Sequence, residues 1–153
     1  MVGRQLRGPY VLRDRRYVAE WVSLTFPKAI AFYNLRLGQA PEQVARAYPG
    51  LDADRYARVW KKTCDAVVIT ETELILVEGE LRRPMESLGE LQVYRDLLRT
   101  TPELRPYNHL PVRTILLCPV QDPTLELRFR EAKVELVVYR PPWVEQYLRE
   151  VNR

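Results

Sequence analysis

Two neighbouring apolar segments of this chain carry carboxylates where buried strands are expected. Asp65 opens the apolar run 65–70, and Glu78 and Glu80 lie near the end of the run 74–81. The short polar stretch between the two runs predicts a β-hairpin. Antiparallel pairing returns the end of the second strand to the start of the first, which gathers the three carboxylates. Buried charges are costly without a counter-charge, so the pattern predicts a divalent cation, Mg²⁺ or Mn²⁺, held by oxygen ligands.

The register of this hairpin decides whether the three carboxylates meet. Side chains alternate along a strand, so Glu78 and Glu80 share one face with Leu74 and Leu76. A slip of one residue would move both glutamates to the other face and dissolve the cluster, leaving an unrelated α/β binding domain as the interpretation. Carboxylates at strand ends are also often solvated or paired with arginine. On the strand pattern alone, a metal site and a structural role both stay open.

The composition indicates a folded domain of ordinary size. The chain has 153 residues, of which 46% are hydrophobic and 29% charged, and this suits one domain with its own core. Its net charge of +4 is compatible with a polyanionic partner but does not require one. Two cysteines and one histidine provide no zinc motif and favour a reducing compartment.

The sequence contains neither a signal peptide nor an apolar run of membrane-spanning length. These features predict a soluble protein without a membrane partner, located in the cytoplasm or made inside a cell as a viral product.

Apolar periodicity predicts alternating helices and strands within a single domain, 1–153. The basic segment 1–13 contains a Gly-Pro step and is expected to form an N-terminal arm. Residues 29–37 are predicted as a strand, with a helix as the alternative, and residues 52–60 fit either. The other predicted helices are 15–26, 41–47, 85–99, 123–132 and 141–151, and the other strands are 65–70, 74–81, 112–118 and 134–139. A meander followed by helical crossovers predicts an α/β domain with a central mixed β-sheet flanked by helices.

These residues, in this order, resemble the PD-(D/E)XK nuclease superfamily. In that family an aspartate opens one core strand and an acid-x-lysine triplet ends the next; here 12 residues separate Asp65 from Glu-Gly-Glu at 78–80. The next helix of the family often carries Gly-Gln-Leu-x-x-Tyr, and residues 89–94 read Gly-Glu-Leu-Gln-Val-Tyr. The resemblance covers the chain from about residue 15 and implies a restriction-endonuclease-like αβββαβ core with an added C-terminal strand and helix.

Glu80 departs from the family pattern, because it stands where lysine is preferred. Some restriction enzymes of the superfamily are active with glutamate there, and a displaced cation could come from Arg82, Lys61 or Lys62. The resemblance implies catalysis by Asp65, Glu78 and Glu80, a Mg²⁺ or Mn²⁺ ion bound by these three with Glu20 from the first helix, and substrate contacts from Arg82, Arg83, Glu90 and Tyr94.

The predicted function is hydrolysis of phosphodiester bonds by a metal-dependent DNA nuclease. DNA is favoured over RNA as the partner, and a homodimer would let a domain of this size act on two strands. The alternative is a catalytically inactive nuclease-fold protein that serves as a DNA-binding or phage assembly component. Converging acids favour a surviving metal site over this alternative, because their repulsion would destabilise a scaffold without metal.

Overall fold

Helices and strands alternate along the chain in the predicted order. The computed structural model describes residues 9–38, Arg46 and residues 62–152. The described helices are α1 (Pro9–Thr25), α2 (Ser87–Leu98), α3 (Pro123–Glu131) and α4 (Pro142–Val151). The described strands are β1 (Ile30–Leu37), β2 (Lys62–Ile69), β3 (Leu74–Gly79), β4 (Val112–Cys118) and β5 (Glu135–Val138). Short 3-10 turns span Pro84–Glu86 and Pro102–Tyr107.

The five strands form one mixed sheet in the order β1-β2-β3-β4-β5. β1, β2 and β3 pair antiparallel as a meander, whereas β3, β4 and β5 pair in parallel. Each parallel step uses a helical crossover, α2 between β3 and β4 and α3 between β4 and β5. This topology confirms the predicted single α/β domain with a central mixed sheet, and its order agrees with the expected αβββαβ core and C-terminal addition.

Helices cover both faces of the sheet. α1 and α4 bury Tyr17, Val18 and Val144 against one face, while α2 and α3 bury Leu91 and Phe129 against the other. Every residue of β3 is buried, as expected for a central strand covered on both sides, and this explains its unbroken apolar run. A charge on β3 therefore lies in the interior of the domain.

The alternation of side chains between the two faces of the sheet shifts by one residue in both β1 and β2, at the opposed residues Asn34 and Asp65. The ladder skips Asn34 and Asp65, while the residues on either side of them remain paired. Asn34 has a φ of 52°, in the left-handed region that asparagine tolerates better than most residues. Cys64 and Val67 consequently bury on the same face although they are three residues apart. Asp65 is thereby released from the β1 ladder next to the end of β3.

α1 is longer at its start than the sequence predicted. It begins at Pro9, so residues 9–13 belong to the helix and not to the predicted arm 1–13. The Gly-Pro step was interpreted as a break, but proline is favoured at the first position of a helix, where its missing N–H costs nothing. α1 has 17 residues, and no helix in the described part of the chain is long and apolar enough to cross a bilayer.

Other predictions lie partly or wholly outside the described residues. The segments 1–8 and 52–60 are outside them, as is the predicted helix 41–47 apart from Arg46, which is helical. The predicted loop 100–111 is described and contains the 3-10 turn Pro102–Tyr107.

Candidate active site

Asp65 and Glu78 form a reciprocal pair where the β2–β3 ladder ends. The last backbone partners are Ala66 and Val77, so Asp65 stands opposite Glu78. The backbone N–H of Asp65 donates to Glu78 Oε1 at 2.8 Å, and the N–H of Gly79 donates to Asp65 Oδ2 at 2.9 Å. Side-chain carboxylates thus take the place of the backbone carbonyls that would continue the ladder. Each carboxylate is fixed by the opposite strand, and the two carboxyl groups also lie within hydrogen-bonding reach of each other.

This pair is short of positive charge. Glu78 is only 9% exposed, and burial together with the charge of Asp65 raises its pKa well above the ordinary range. Burial also raises the pKa of Asp65, although the Gly79 amide, the hydrogen bond with the Glu78 carboxyl group and the charge of Arg15 act in the opposite direction. No arginine or lysine among the described residues forms an ion pair with either carboxylate.

Asp14 joins this acidic end of the sheet from α1. Burial, Glu80 and Asp65 together raise its pKa to about 7. The helix reaches the site because Gly79 has no side chain: a Cβ on Gly79 would lie 2.5 Å from Val18 Cγ2 and 3.6 Å from the carbonyl oxygen of Asp14. The helix predicted from the sequence, 15–26, begins one residue after Asp14, so Asp14 was not among the predicted site residues. The available signal was that Asp14 precedes the buried Val18 by four residues and so shares its helix face.

Glu80 has a local structural partner. Its Oε1 accepts the backbone N–H groups of Arg82 at 2.9 Å and Arg83 at 3.0 Å, which fixes the turn that follows β3. Its charge still acts on Asp14 and Asp65. Within the described ranges, no three acidic, histidine or cysteine side chains come together closely enough to hold a metal ion by themselves. The predicted triad is therefore a close pair with Glu80 and Asp14 beside it.

Glu90 and Tyr94 lie on the α2 side of the pair. The Tyr94 hydroxyl donates to Glu90 Oε2 at 3.5 Å, a long hydrogen bond, and the charge of Glu90 contributes to the raised pKa of Glu78. Burial and the charge of Glu78 raise the pKa of Tyr94, so its hydroxyl stays protonated. These two residues and Lys62 line a small cavity of about 270 Å³.

The structure places Glu20 away from the pair. One Glu20 oxygen accepts the Tyr139 hydroxyl at 2.6 Å, and both accept the indole N–H of Trp143 at 3.1 Å. Glu20 follows Asp14 by six residues, a rotation of about 240° around the helix, which turns it toward α4. Arg82 and Arg83 are exposed after β3, and Arg83 forms a surface ion pair with Glu86 at 3.4 Å.

The donor chemistry of this end of the sheet fits a hard divalent cation. Asp65 and Glu78 offer carboxylate oxygens only, the ligand type that Mg²⁺ and Mn²⁺ prefer. A cation would also supply the charge that the described side chains do not, and it would favour the ionised form of both acids. Asp65 and Glu78 could hold such an ion, with Asp14 as the acid next to them.

Known proteins offer limited comparison. The crystal structure of a repair endonuclease from Pyrococcus abyssi is similar to this chain, with 15% identical residues and a TM-score of 0.45. The similar region covers 82% of this chain and 46% of that one, so the chain spans less than half of that structure's length. No family model and no curated protein sequence matches the chain. Function is therefore inferred from the residues of the site.

Proposed function

We propose that this domain is a metal-dependent nuclease that hydrolyses phosphodiester bonds in DNA, with Asp65 and Glu78 as the metal-binding pair. The observation that supports it is the reciprocal bonding of the two carboxylates, each held by an amide of the other strand. Strands that only needed stability would continue their ladder. Here a buried and a half-buried acid are fixed with raised pKa values, an arrangement found more often at functional sites than elsewhere.

The residues around the pair have separate roles in this proposal. Asp65 and Glu78 would hold a divalent cation, which would supply charge stabilisation for the phosphate and an activated water. Asp14, with a pKa of about 7, is suited to accept a proton from the attacking water near neutral pH. Glu80 positions the turn after β3 by holding the amides of Arg82 and Arg83, whose exposed side chains would meet backbone phosphates.

A cleavage assay tests this function directly. Linear, single-stranded and branched DNA, with RNA as a comparison, are incubated with Mg²⁺ or Mn²⁺ and the wild-type protein, Asp65→Asn or Glu78→Gln. We expect metal-dependent cutting that each substitution lowers about 1,000-fold, which corresponds to the several kcal/mol that metal catalysis contributes. Glu71→Gln is the matched control, because it removes an exposed carboxylate from the turn end of the same hairpin. Equal cutting by all four proteins would point to a contaminant and contradict the proposal.

The second candidate function is a catalytically inactive nuclease-fold protein that binds DNA or takes part in phage assembly. Glu80 favours it, since this residue stands at the family's lysine position and its carboxylate is engaged with backbone amides. Thermal unfolding with and without Mg²⁺ or Mn²⁺ separates the candidates when read beside the cleavage assay. A rise in Tm that Asp65→Asn abolishes, without any cutting, would support a structural metal and this second function.

A further inference from the structure

Two arginines on α1 lie over aromatic rings of α4. The guanidinium of Arg13 lies 4.3 Å from the ring centre of Tyr147, and that of Arg16 lies 4.2 Å from the ring centre of Trp143. Arg16 is exposed. Stacking uses the flat face of a guanidinium and leaves the N–H groups at its edge, which match the two oxygens of a phosphate. We call the surface formed by Arg13, Arg16, Trp143 and Tyr147 the platform. On it, the N–H groups of Arg16 can donate to a phosphate.

Glu20 is bonded to Tyr139 and Trp143 and does not form an ion pair with Arg16. A carboxylate four residues after an arginine on a helix is a usual ion-pair partner. Glu20 has this spacing but is bonded instead to the Tyr139 hydroxyl at 2.6 Å and to the Trp143 indole N–H at 3.1 Å. It therefore fixes the ring under Arg16 rather than neutralising the guanidinium. No carboxylate in the described part of the chain forms an ion pair with Arg16.

The platform is joined to the core through Tyr17. Tyr17 is fully buried, stacks on Tyr139 with ring centres 5.4 Å apart, and meets Trp143 edge-on at 6.3 Å. Arg16 follows Asp14 by two residues, a rotation of about 200°, so it lies on the opposite side of the same turn of α1. An α-helix with its side chains is about 10–12 Å across, and this width separates the platform from the acidic end of the sheet.

We propose that Arg16, held on Trp143, binds a backbone phosphate of the nucleic acid whose scissile phosphodiester lies at Asp65 and Glu78. This inference rests on the proposed function and assigns the surface by which the substrate is held. The contact is to a phosphate, so it adds affinity without sequence preference and weakens as salt rises.

Single-turnover cleavage at increasing protein concentration tests this contact. Arg16→Ala is expected to raise the half-saturating concentration about tenfold, the effect of losing one charge-assisted hydrogen-bonded contact, and to leave the maximal rate unchanged. In Arg16→Ala the slope of log affinity against log salt concentration should become shallower by about 0.7–0.9, as expected for one lost phosphate contact. Arg16→Lys should recover part of the affinity, because it keeps the charge and loses the planar fork. Arg128→Ala is the control, because the Arg128 side chain is 66% exposed and α3 packs on the face of the sheet opposite to α1.

The outcomes separate this contact from the catalytic function. Normal cleavage with an unchanged half-saturating concentration and salt slope in Arg16→Ala would overturn the Arg16 contact and leave the nuclease intact. If the wild type binds a fluorescent oligonucleotide without cutting it, the same variants are compared by anisotropy, and weaker binding by Arg16→Ala supports the contact although hydrolysis fails. Absence of any binding would overturn both proposals. Tighter binding of a polyglutamate peptide than of DNA, lost in Arg16→Ala, would assign the platform to an acidic protein partner instead.

Discussion

The carboxylates at the two ends of the β2–β3 hairpin have different partners. At the turn end, Arg113 donates from Nε to Glu135 at 2.8 Å and from Nη2 to the same carboxylate at 3.0 Å, and it lies 3.6 Å from Glu73. At the open end, Asp65 and Glu78 are held by backbone amides and by each other, and no arginine of the described strands bonds to them. The sheet thus provides an arginine for one acidic cluster and none for the other.

Exposure makes this difference informative. The side chains of Arg113 and Glu73 are 39% and 37% exposed, so water would solvate those acids even without the arginine. Glu78 is 9% exposed, and there a counter-charge would be worth most. A protein under selection for stability alone would have the reverse arrangement. The unmatched end is therefore the end that we associate with function, at a cost in stability that a bound cation would offset.

Gly79→Ala should have the largest effect on the difference between the two ends, because the added methyl group forces α1 away from the open end. The new Cβ would lie 2.5 Å from Val18 Cγ2 and 3.1 Å from Tyr17 Cδ1, both in a well-packed interior. We expect a loss of about 2–3 kcal/mol in the free energy of unfolding, as for other overpacked cores, together with loss of cleavage. Urea denaturation measures the first effect.

Gly89→Ala is the matched control for this substitution. A Cβ at Gly89 meets no atom within 4 Å, and the residue lies in α2. Alanine there should stabilise the protein by about 0.5–1 kcal/mol through helix propensity. A Gly79→Ala protein as stable as the wild type would show that α1 does not pack on Gly79 as described.

The pH dependence of stability tests whether the acids at the open end of the hairpin lack a counter-charge. The folded-state pKa of Asp14 is about 7, above its ordinary value of 3.8, so the folded protein holds this proton more tightly than the unfolded chain. The resulting stability is present below about pH 4 and is lost as the pH rises to about 7. Without divalent cations, Tm should be lower at pH 8 than at pH 5, and Asp14→Asn should reduce this difference.

Two further observations test the assignment to the open end. Asp65 and Glu78 also have raised pKa values, so they contribute in the same direction and part of the pH dependence should survive in Asp14→Asn. Asp96→Asn, at an exposed position of α2, should leave the dependence unchanged. A Tm that rises between pH 5 and pH 8 in the wild type would contradict the described electrostatics.

Arg113→Ala should have the smallest effect, although it removes the counter-charge from the turn end. Exposed ion pairs contribute about 0–1 kcal/mol to stability, and salt screens them. The expected change in the free energy of unfolding is below about 1 kcal/mol in dilute buffer and smaller in 1 M NaCl. A larger loss, insensitive to salt, would mean that the turn end depends on Arg113 as a buried site would.

The local part of this structure was predictable from the sequence. The hairpin and the opposition of Asp65 to Glu78 follow from two apolar runs joined by a short polar turn, and both are local along the chain. The bounds of β4, Val112–Cys118, match the predicted strand because Pro111 and Pro119 flank it.

The rest of the site depends on features that periodicity does not carry. Which acid of α1 faces the sheet depends on the phase of the helix, and the sequence favoured Glu20 where the structure has Asp14. The bonding of Glu80 to the amides of Arg82 and Arg83 depends on how the chain turns after β3. The phase change opposite Asp65 depends on one left-handed residue, Asn34.

The position of the acidic pair in the hairpin also has a consequence for the order of folding. Asp65 and Glu78 are only 13 residues apart, so their strands can pair before the crossovers that add β4 and β5. The two charges are then brought together early, while α1 is still undocked. Protonation of the pair, or a cation bound to it, should act on the folding rate as well as on the unfolding rate. A residue pair associated here with catalysis would thus also regulate how fast the domain forms.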